Sequence, residues 1–333
     1  VDFDDSGNPY NGFANGFIQA MSGFVKLKKY ALGFSVRQRA YGFGINGDPD
    51  LGYYAYQRLN IDSTVNLTNA HLAAMDWTEL SFYISKQIKL QNGNSFDLGI
   101  SPKILMSKRG GFAKIEQSPQ ISRQTGNALQ VEQGQLTMGL KGIDSLNSNS
   151  NIGFAVDLGF QVNLNNSDKR TILGISLLDL GFIRYKGSSQ KVDINYENIN
   201  QILQDSSISY SSPSILFNEI VSAAENTNNP IITNEAFTMF LPLSFSVQLD
   251  HQISKYVFVN ALAVQNISFT KNQIRRSNIL AFTPRFEKRW FNVMLPLTIT
   301  NYNALGIGAS SRLGPLTIGT ENIGSALFKQ RQF

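Results

Sequence analysis

The chain has 333 residues, no cysteine, a net charge of +5 and a charged content of only 16%. The lack of cysteine excludes a disulfide scaffold and a thiolate metal site. The scattered basic residues do not form the clustered footprint of a nucleic-acid-binding protein. No run of 18 apolar residues occurs, which excludes a transmembrane helix. A charged content below the usual quarter suits a chain that gives much of its surface to lipid.

Taken in chain order, the sequence opens with an acidic loop and continues as a long series of segments that read as β-strands. Residues 46–70 predict a long loop, and Gln91 to Asn94 predict a hairpin turn. The predicted strands are 16–27, 30–44, 74–90, 95–109, 128–142, 152–164, 170–186, 237–252, 255–270, 276–287, 290–300, 303–313 and 315–320. Closed bacterial barrels favour even strand numbers, so we expect about fourteen strands.

The strand segments share a period of two in hydrophobicity, and 239–250 shows it best. The strand predicted for this segment has one wholly apolar face, and its other face carries small and charged residues. Similar alternation recurs at 80–88, 97–106, 154–163 and 293–300. This pattern predicts an all-β transmembrane antiparallel β-barrel, apolar outside and polar within. The residues of 239–250 expected to face lipid are Leu241, Leu243, Phe245, Val247 and Leu249.

One insert interrupts the strand series at 187–235. Ser212 and Pro213, followed by apolar residues at helical spacing, predict a capped helix of about three turns. Ile194 and Ile199 belong to a pattern that suggests another helical turn before it. The insert is expected to pack at the barrel mouth, at the membrane interface or on a partner protein.

Two kinds of residue disturb the barrel pattern. Pro102, Pro242, Pro284 and Pro296 fall inside predicted strands, and a proline removes a ladder hydrogen bond, so we expect these positions at bulges or rims. The alternation of side chains along the segment around Asp179 would make this residue face lipid. This position predicts a β-bulge near Asp179 that shifts the alternation by one residue.

Several segments are similar to a Bacteroidota outer-membrane barrel family of unknown function. They are Trp77-Thr78-Glu79-Leu80 with Tyr83, residues 173–185, Leu241-Pro242, 283–287, 312–316 and 318–322. The resemblance covers roughly residues 20–325. It implies a relationship to fatty-acid-porin-like barrels, some of which are fused to an OmpA-like peptidoglycan-binding domain. It implies no catalytic residues.

The candidate site is a set of charges on the predicted polar face. It comprises Arg37, Arg39, Glu79, Asp97, Lys103, Asp157, Asp250, Arg285, Glu287 and Arg312. Paired charges that fill the interior would close the barrel, whereas segregated charges around water would line a selective pore. The mixed signs and the neighbouring Gly and Ser positions favour the packed interior.

Other motifs are weak. Residues 42–47 fit a dinucleotide pattern but are followed by a turn instead of a helix. The acidic loops around Asp4 and Asp48 offer carboxylates for Ca²⁺, although a solvated turn explains them as well. His71 and His251 are far apart and have no nucleophile beside them. We therefore expect no catalysis, no cofactor and no metal.

The sequence predicts one domain over 1–333, located in the outer membrane of a Gram-negative bacterium. We expect a removed signal peptide before Val1 and natural sequence beyond Phe333, where a periplasmic domain would follow. The leading hypothesis is a structural or accessory subunit of an envelope complex, linked to peptidoglycan through that domain. Its expected partners are outer-membrane lipid and other outer-membrane or periplasmic proteins. The alternative is a transport channel for a hydrophobic or small solute.

Overall fold

A computed structural model describes residues 9–48, 64–66, 68–90, 93–123, 129–141, 150–166, 169–186, 190–195, 232–233, 236–270, 272–320 and 323. The regular elements in these ranges are all β-strands, so the all-β prediction is confirmed. No helix in the described part of the chain is long and apolar enough to cross a membrane.

The strands are numbered in chain order. They are β1 Tyr10–Leu27, β2 Tyr30–Gly47, β3 Thr64–Asn66, β4 His71–Lys89, β5 Ser95–Ser107, β6 Gly110–Arg123, β7 Leu129–Lys141, β8 Asn151–Asn166, β9 Lys169–Tyr185, β10 Gln190–Asn195, β11 Ile232–Thr233, β12 Phe237–Phe240, β13 Ser244–Gln252, β14 Val257–Asn266, β15 Ile279–Lys288, β16 Phe291–Met294, β17 Leu297–Thr300, β18 Ala304–Ile307, β19 Ala309–Leu313 and β20 Leu316–Thr320.

All strands belong to one antiparallel sheet. In order across the sheet, its main ladder begins with β1, β2, β4, β5, β8 and β9. β12 and β13 together occupy the next position and are followed by β14 and β15. β16 and β17 share the position after β15, β18 and β19 share the one after that, and β20 comes last. The sheet is not closed, because β1 and β20 each pair along one edge only among the described residues.

The predicted strand at 128–142 does not enter the main ladder. Its residues form β7, which pairs with β6 and β10, while β5 pairs directly with β8. β6 pairs only with the first residues of β4, where Lys114 lies opposite His71. After Lys114, β6 continues beyond the beginning of β4. β6, β7 and β10 therefore project from one end of the sheet, and the described ladder has fewer strand positions than the fourteen predicted.

The two faces of the sheet have inverted polarity compared with a soluble protein. On β5, Leu98, Ile100, Ile104 and Met106 are exposed, whereas Ser95, Ser101, Lys103 and Ser107 are buried. β4 shows the same pattern, with Phe82 and Ile84 exposed and Glu79 and Ser81 buried. Large apolar side chains thus cover the outer face, and the inner face encloses polar groups and charges. An exposed apolar surface of this extent is typical of a face that interacts with a protein or a membrane.

Asp179 lies at the bulge that the sequence predicted. The pairing of β8 with β9 shifts by one residue between Val156 and Leu158, and Asp179 has a φ of 61°. Leu173 and Ile175 face outward before this point, and Leu180 and Phe182 do so after it. The extra residue therefore turns the Asp179 side chain to the inner face, and the predicted change of phase is confirmed.

Two residues expected to face lipid do not. Leu241 and Leu243 are buried, whereas Phe245 and Leu249 are exposed. The chain leaves the ladder over 241–243, between β12 and β13, so the alternation that begins at Ser244 does not extend back through them. Pro242 explains the interruption, because it has no amide hydrogen for the ladder.

Most of the predicted helical insert, including 196–231, lies outside the described residues. The parts at 190–195 and 232–233 are strands β10 and β11 that pair with one another. Ile194, for which the helical spacing predicts a turn, therefore lies in a strand. β10 also pairs with β7 over its whole length, and this long-range pairing overrides the local helical spacing.

Candidate functional site

Five neighbouring strands of the main ladder place a charged side chain at the same level of the inner face. Arg39 comes from β2, Glu79 from β4, Lys103 from β5, Asp157 from β8 and Asp179 from β9. These five residues are called the charge cluster below. The strands are adjacent and in register, so side chains distant in sequence converge at one level.

Asp179 is the centre of the charge cluster. Its two carboxylate oxygens each accept a hydrogen bond from the Arg39 guanidinium at 2.8 Å. Oδ1 also accepts one from Lys103 Nζ at 2.8 Å. A bidentate Arg–carboxylate pair is among the stronger hydrogen-bonded ion pairs, and it fixes the plane of both groups.

The guanidinium of Arg39 is also held from the side of β4. Its Nη1 donates to Glu79 Oε2 at 3.0 Å, and Trp77 Nε1 donates to the same oxygen at 3.3 Å. The guanidinium carbon lies 4.8 Å from the Trp77 ring centre and 5.1 Å from that of Tyr41. Arg39 therefore has both hydrogen-bond partners and aromatic faces, which offset much of its lost hydration.

Lys103 joins the charge cluster to β8. Its Nζ lies 2.8 Å from Asp157 Oδ2, and the other oxygen of Asp157 accepts a hydrogen bond from the Asp179 backbone amide at 2.7 Å. Asp157 thus stabilises both the lysine and the backbone of the bulge. Arg37 lies 3.8 Å from Glu79 Oε1 and supplies a third positive charge opposite the three carboxylates.

The remaining predicted site residues lie outside the charge cluster. Asp250 accepts two hydrogen bonds from Arg285, which also donates to Glu287 at 3.2 Å. Asp97 is bonded by neutral amides, from Asn163 at 2.8 Å and Gln161 at 3.4 Å. Arg312 donates a hydrogen bond to the Gly314 carbonyl at 3.4 Å.

Asp179 was missed as a site residue, although the sequence contained a signal for it. A carboxylate at a lipid-facing parity cannot remain there, and the predicted bulge already moves it to the inner face. A carboxylate that is buried on that face needs cationic partners. Arg39 and Lys103 were both on the predicted list, but the sequence did not reveal which strands are neighbours.

An apolar layer fills the inner face on the side of the charge cluster where β6 begins. It includes Phe43, Trp77, Tyr185, Phe237 and Met239, which are all buried. The Tyr185 ring stacks on Phe237 with centroids 5.2 Å apart, and its hydroxyl lies 2.7 Å from Ser107 Oγ. Gly110 is required here, because a Cβ would come within 2.5 Å of the Tyr185 ring.

A cavity of about 480 Å³ lies on the opposite side of the charge cluster. Its inner-face lining includes Ser85, Gln87, Gln161, Ser176 and Gln248, and lysines from the β1–β2 hairpin border it. Along the interior, the order is therefore an apolar layer, the charge cluster and a cavity with polar side chains on its inner-face lining.

The two histidines lie far apart in the described part of the sheet. His71 packs edge-on against Phe43, whereas His251 contacts Thr171 at 2.9 Å near the other end of the sheet. The carboxylate of Asp48 accepts a hydrogen bond from the Thr68 amide at 2.7 Å, so it has a structural role in its loop.

The fold and the interior define an all-β, antiparallel protein with an apolar outer face and a charged, packed inner face. The chain belongs to the family of unknown function DUF5723, whose family model matches residues 13–321. No curated protein and no solved structure matches the chain.

Proposed function

We propose that this chain is an outer-membrane β-barrel that acts as a structural or accessory subunit of an envelope assembly, without catalysis of its own. The observation that carries the proposal is the inverted polarity of the sheet, apolar outside and charged within. A water-soluble sheet with this surface would aggregate, whereas a bilayer stabilises it.

Closure of the barrel would require pairing between β1 and β20. The two strands run in opposite directions along the ladder, so an antiparallel pair is compatible with the chain order. Both faces of β1 are exposed at Phe17, Ile18 and Phe24, and β20 is exposed throughout. Joining the two edges would satisfy their backbone groups, as a lipid environment requires.

The connections between the ladder strands support an orientation. At one end they are all short, at 28–29, 90–94, 167–168, 253–256, 289–290 and 314–315. At the other end they include 48–70, 108–150, 186–236 and 267–278, with one short connection at 301–303. Outer-membrane barrels have short periplasmic turns and longer extracellular loops. We therefore assign the short-turn end to the periplasm.

A structural role is favoured over a channel because the interior is filled across one level. The charge cluster joins five strands, and the apolar layer covers it on one side. A side-chain network that pairs its own charges leaves few groups to hydrate a passing solute. The strands β6, β7 and β10, which project at the long-connection end, offer backbone edges and surface for a partner protein.

Planar-bilayer recording on the purified protein tests this proposal. The expected result is a folded, membrane-inserted protein without stable conducting steps, with folding checked by a heat-dependent shift on denaturing gels. A robust current selective for one solute would overturn the structural role and favour the alternative, a transport channel for a small or hydrophobic solute. The 480 Å³ cavity is the observation that favours that alternative.

Native purification from the membrane tests the accessory role separately. We expect other envelope proteins, or peptidoglycan fragments, to copurify with the chain. Recovery of the chain by itself under mild detergent, together with a closed bilayer record, would support a structural barrel without an assembly.

A further inference from the structure

Basic side chains are concentrated at the short-turn end of the sheet. They come from five hairpins around this end and are all exposed. The residues are Lys26, Lys28, Lys29, Lys86, Lys89, Lys169, Arg170, Lys255, Lys288 and Arg289. This set is called the basic rim below.

Two lysines of the basic rim continue the apolar outer face. On β4, Phe82 and Ile84 are exposed on the outer face, and Lys86 follows them at the same parity. On β15, Phe282 and Phe286 are followed in the same way by Lys288. The ammonium groups of Lys86 and Lys288 therefore lie at the border of the surface that the proposed function assigns to lipid.

Exposed aromatic rings lie directly beneath the basic rim. Lys288 Nζ is 5.3 Å from the Tyr256 ring centre and 5.5 Å from that of Phe286. Lys86 Nζ is 5.8 Å from the Tyr30 ring centre. Aromatic rings with cations above them are typical of the membrane–water interface, where long side chains reach toward headgroups.

The carboxylates described near this end do not neutralise the outer side of the basic rim. Asp97, Asp250 and Glu287 belong to the inner face, where Asp97 is bonded by amides and the other two contact Arg285. At the opposite end the charges are mixed, and Arg109 pairs with Asp76 at 2.7 Å. Among the described residues, exposed basic side chains are therefore more numerous at the short-turn end than at the opposite end, where Arg184 and Lys186 are also exposed.

We propose that the basic rim binds the phosphate groups of anionic phospholipids in the leaflet next to the short-turn end. This inference rests on the proposed membrane barrel. We choose a lipid as the ligand because the lysines of β4 and β15 directly follow rows of apolar side chains on the outer face. A lipid whose phosphate binds these lysines can cover those apolar side chains with its acyl chains. Each contact combines a charge-assisted hydrogen bond with burial of the lysine stem.

Trp290 provides a native reporter for the test. It lies in the β15–β16 turn beside Lys288 and Arg289 and is 68% exposed, whereas Trp77 is 1% exposed in the interior. The protein is placed in bilayers of phosphatidylcholine and phosphatidylglycerol, with bromine on the acyl chains of one lipid at a time. Quenching of Trp290 then measures which lipid occupies its surroundings, and Trp77→Phe removes the other emitter.

The expected result is preferential quenching by brominated phosphatidylglycerol, by about fivefold for each rim cation that contacts a headgroup near the reporter. The preference should fall toward one in high salt and in Lys86→Gln/Lys288→Gln, and Lys288→Arg should retain it. The matched control is Arg184→Gln/Lys186→Gln, which removes two exposed cations at the opposite end and should leave the preference unchanged.

Each remaining outcome separates the two proposals. Equal quenching by both brominated lipids in the wild-type protein overturns the anionic-lipid site while leaving the barrel intact. Absence of quenching by either lipid, with Trp290 still accessible to aqueous iodide, overturns the membrane barrel itself. An equal loss of preference in the control pair would assign the effect to net charge and overturn a site at the basic rim.

Discussion

The first half of the main ladder, β2 to β9, differs from the second half, β13 to β20, in how it holds its charges. In the first half, four of the five side chains of the charge cluster are at most 10% exposed, and that of Glu79 is 0% exposed. In the second half the Glu287 side chain is 41% exposed, and the Asp250–Arg285–Glu287 group lies near the short-turn end.

The length and continuity of the strands explain this difference. The first half has long strands such as β4, with 19 residues, which pair with their neighbours over most of their length. In the second half, breaks at Pro242 and Pro296 separate β12 from β13 and β16 from β17. Long uninterrupted strands bring side chains from many strands to one level. Several buried charges can then each have an opposite charge beside them, which their burial requires.

The largest expected effect is the loss of charge at the centre of the charge cluster. Asp179→Asn keeps a residue that tolerates positive φ, so it tests the charge without adding backbone strain. It leaves Arg39 and Lys103 without their shared carboxylate, and we expect a loss of about 3–5 kcal/mol in the free energy of unfolding. The measurement is denaturant unfolding in lipid or detergent, followed by Trp77 fluorescence.

The matched control for this prediction is Asp97→Asn, on the same inner face. Asp97 accepts its hydrogen bonds from the neutral amides of Asn163 and Gln161, so its loss should cost clearly less. Equal losses for the two variants would contradict the central role of Asp179. Combining Asp179→Asn with Lys103→Met should restore part of the lost stability, because the unpaired buried cation is then removed.

The outer face can be tested in the second half of the ladder. Phe245 on β13 is 40% exposed and has the outward parity of Leu249. Phe245→Arg should cost about 2–4 kcal/mol if the site lies near the bilayer midplane. Phe245→Leu, which keeps an apolar side chain, is the control. If the Arg variant unfolds at the same denaturant concentration as the control in lipid, Phe245 does not face the membrane.

Much of the fold follows from local sequence pattern. The period of two on 97–106 predicted which side chains of β5 are exposed and which are buried. The misplaced parity of Asp179 predicted a bulge, and the register shift beside Val156 confirms it. Both predictions concern one strand at a time, where alternation alone decides which face a side chain occupies.

The pairing order of the strands could not be predicted from the same pattern. Alternation is equally compatible with any neighbour, so nothing local indicated that β5 pairs with β8 and that β7 lies outside the main ladder. For the same reason, the list of inner-face charges did not reveal that Arg39 and Lys103 meet at one carboxylate. Leu241 was misplaced because the pattern continued through Pro242, where the ladder stops.

The smallest expected effect concerns the ion pair of the second half. Arg285 and Asp250 form a two-point contact, with side chains 20% and 17% exposed, and the Arg285 guanidinium lies 4.9 Å from the Phe258 ring centre. Partial exposure lets water replace much of the interaction when one partner is removed. A double-mutant cycle with Arg285→Ala and Asp250→Ala should therefore give a coupling energy of about 1 kcal/mol, well below the loss expected at Asp179.

The same arginine supplies an internal comparison, because Glu287 contacts it through one hydrogen bond at 3.2 Å and is more exposed than Asp250. The Arg285–Glu287 cycle should give a smaller coupling energy, since a single exposed contact is easily replaced by water. If the Arg285–Asp250 cycle is additive, the two side chains do not form a coupled pair. If its coupling energy matches that of Arg39 and Asp179, then strand continuity does not determine how strongly the inner face holds its charges, and the contrast between the two halves fails.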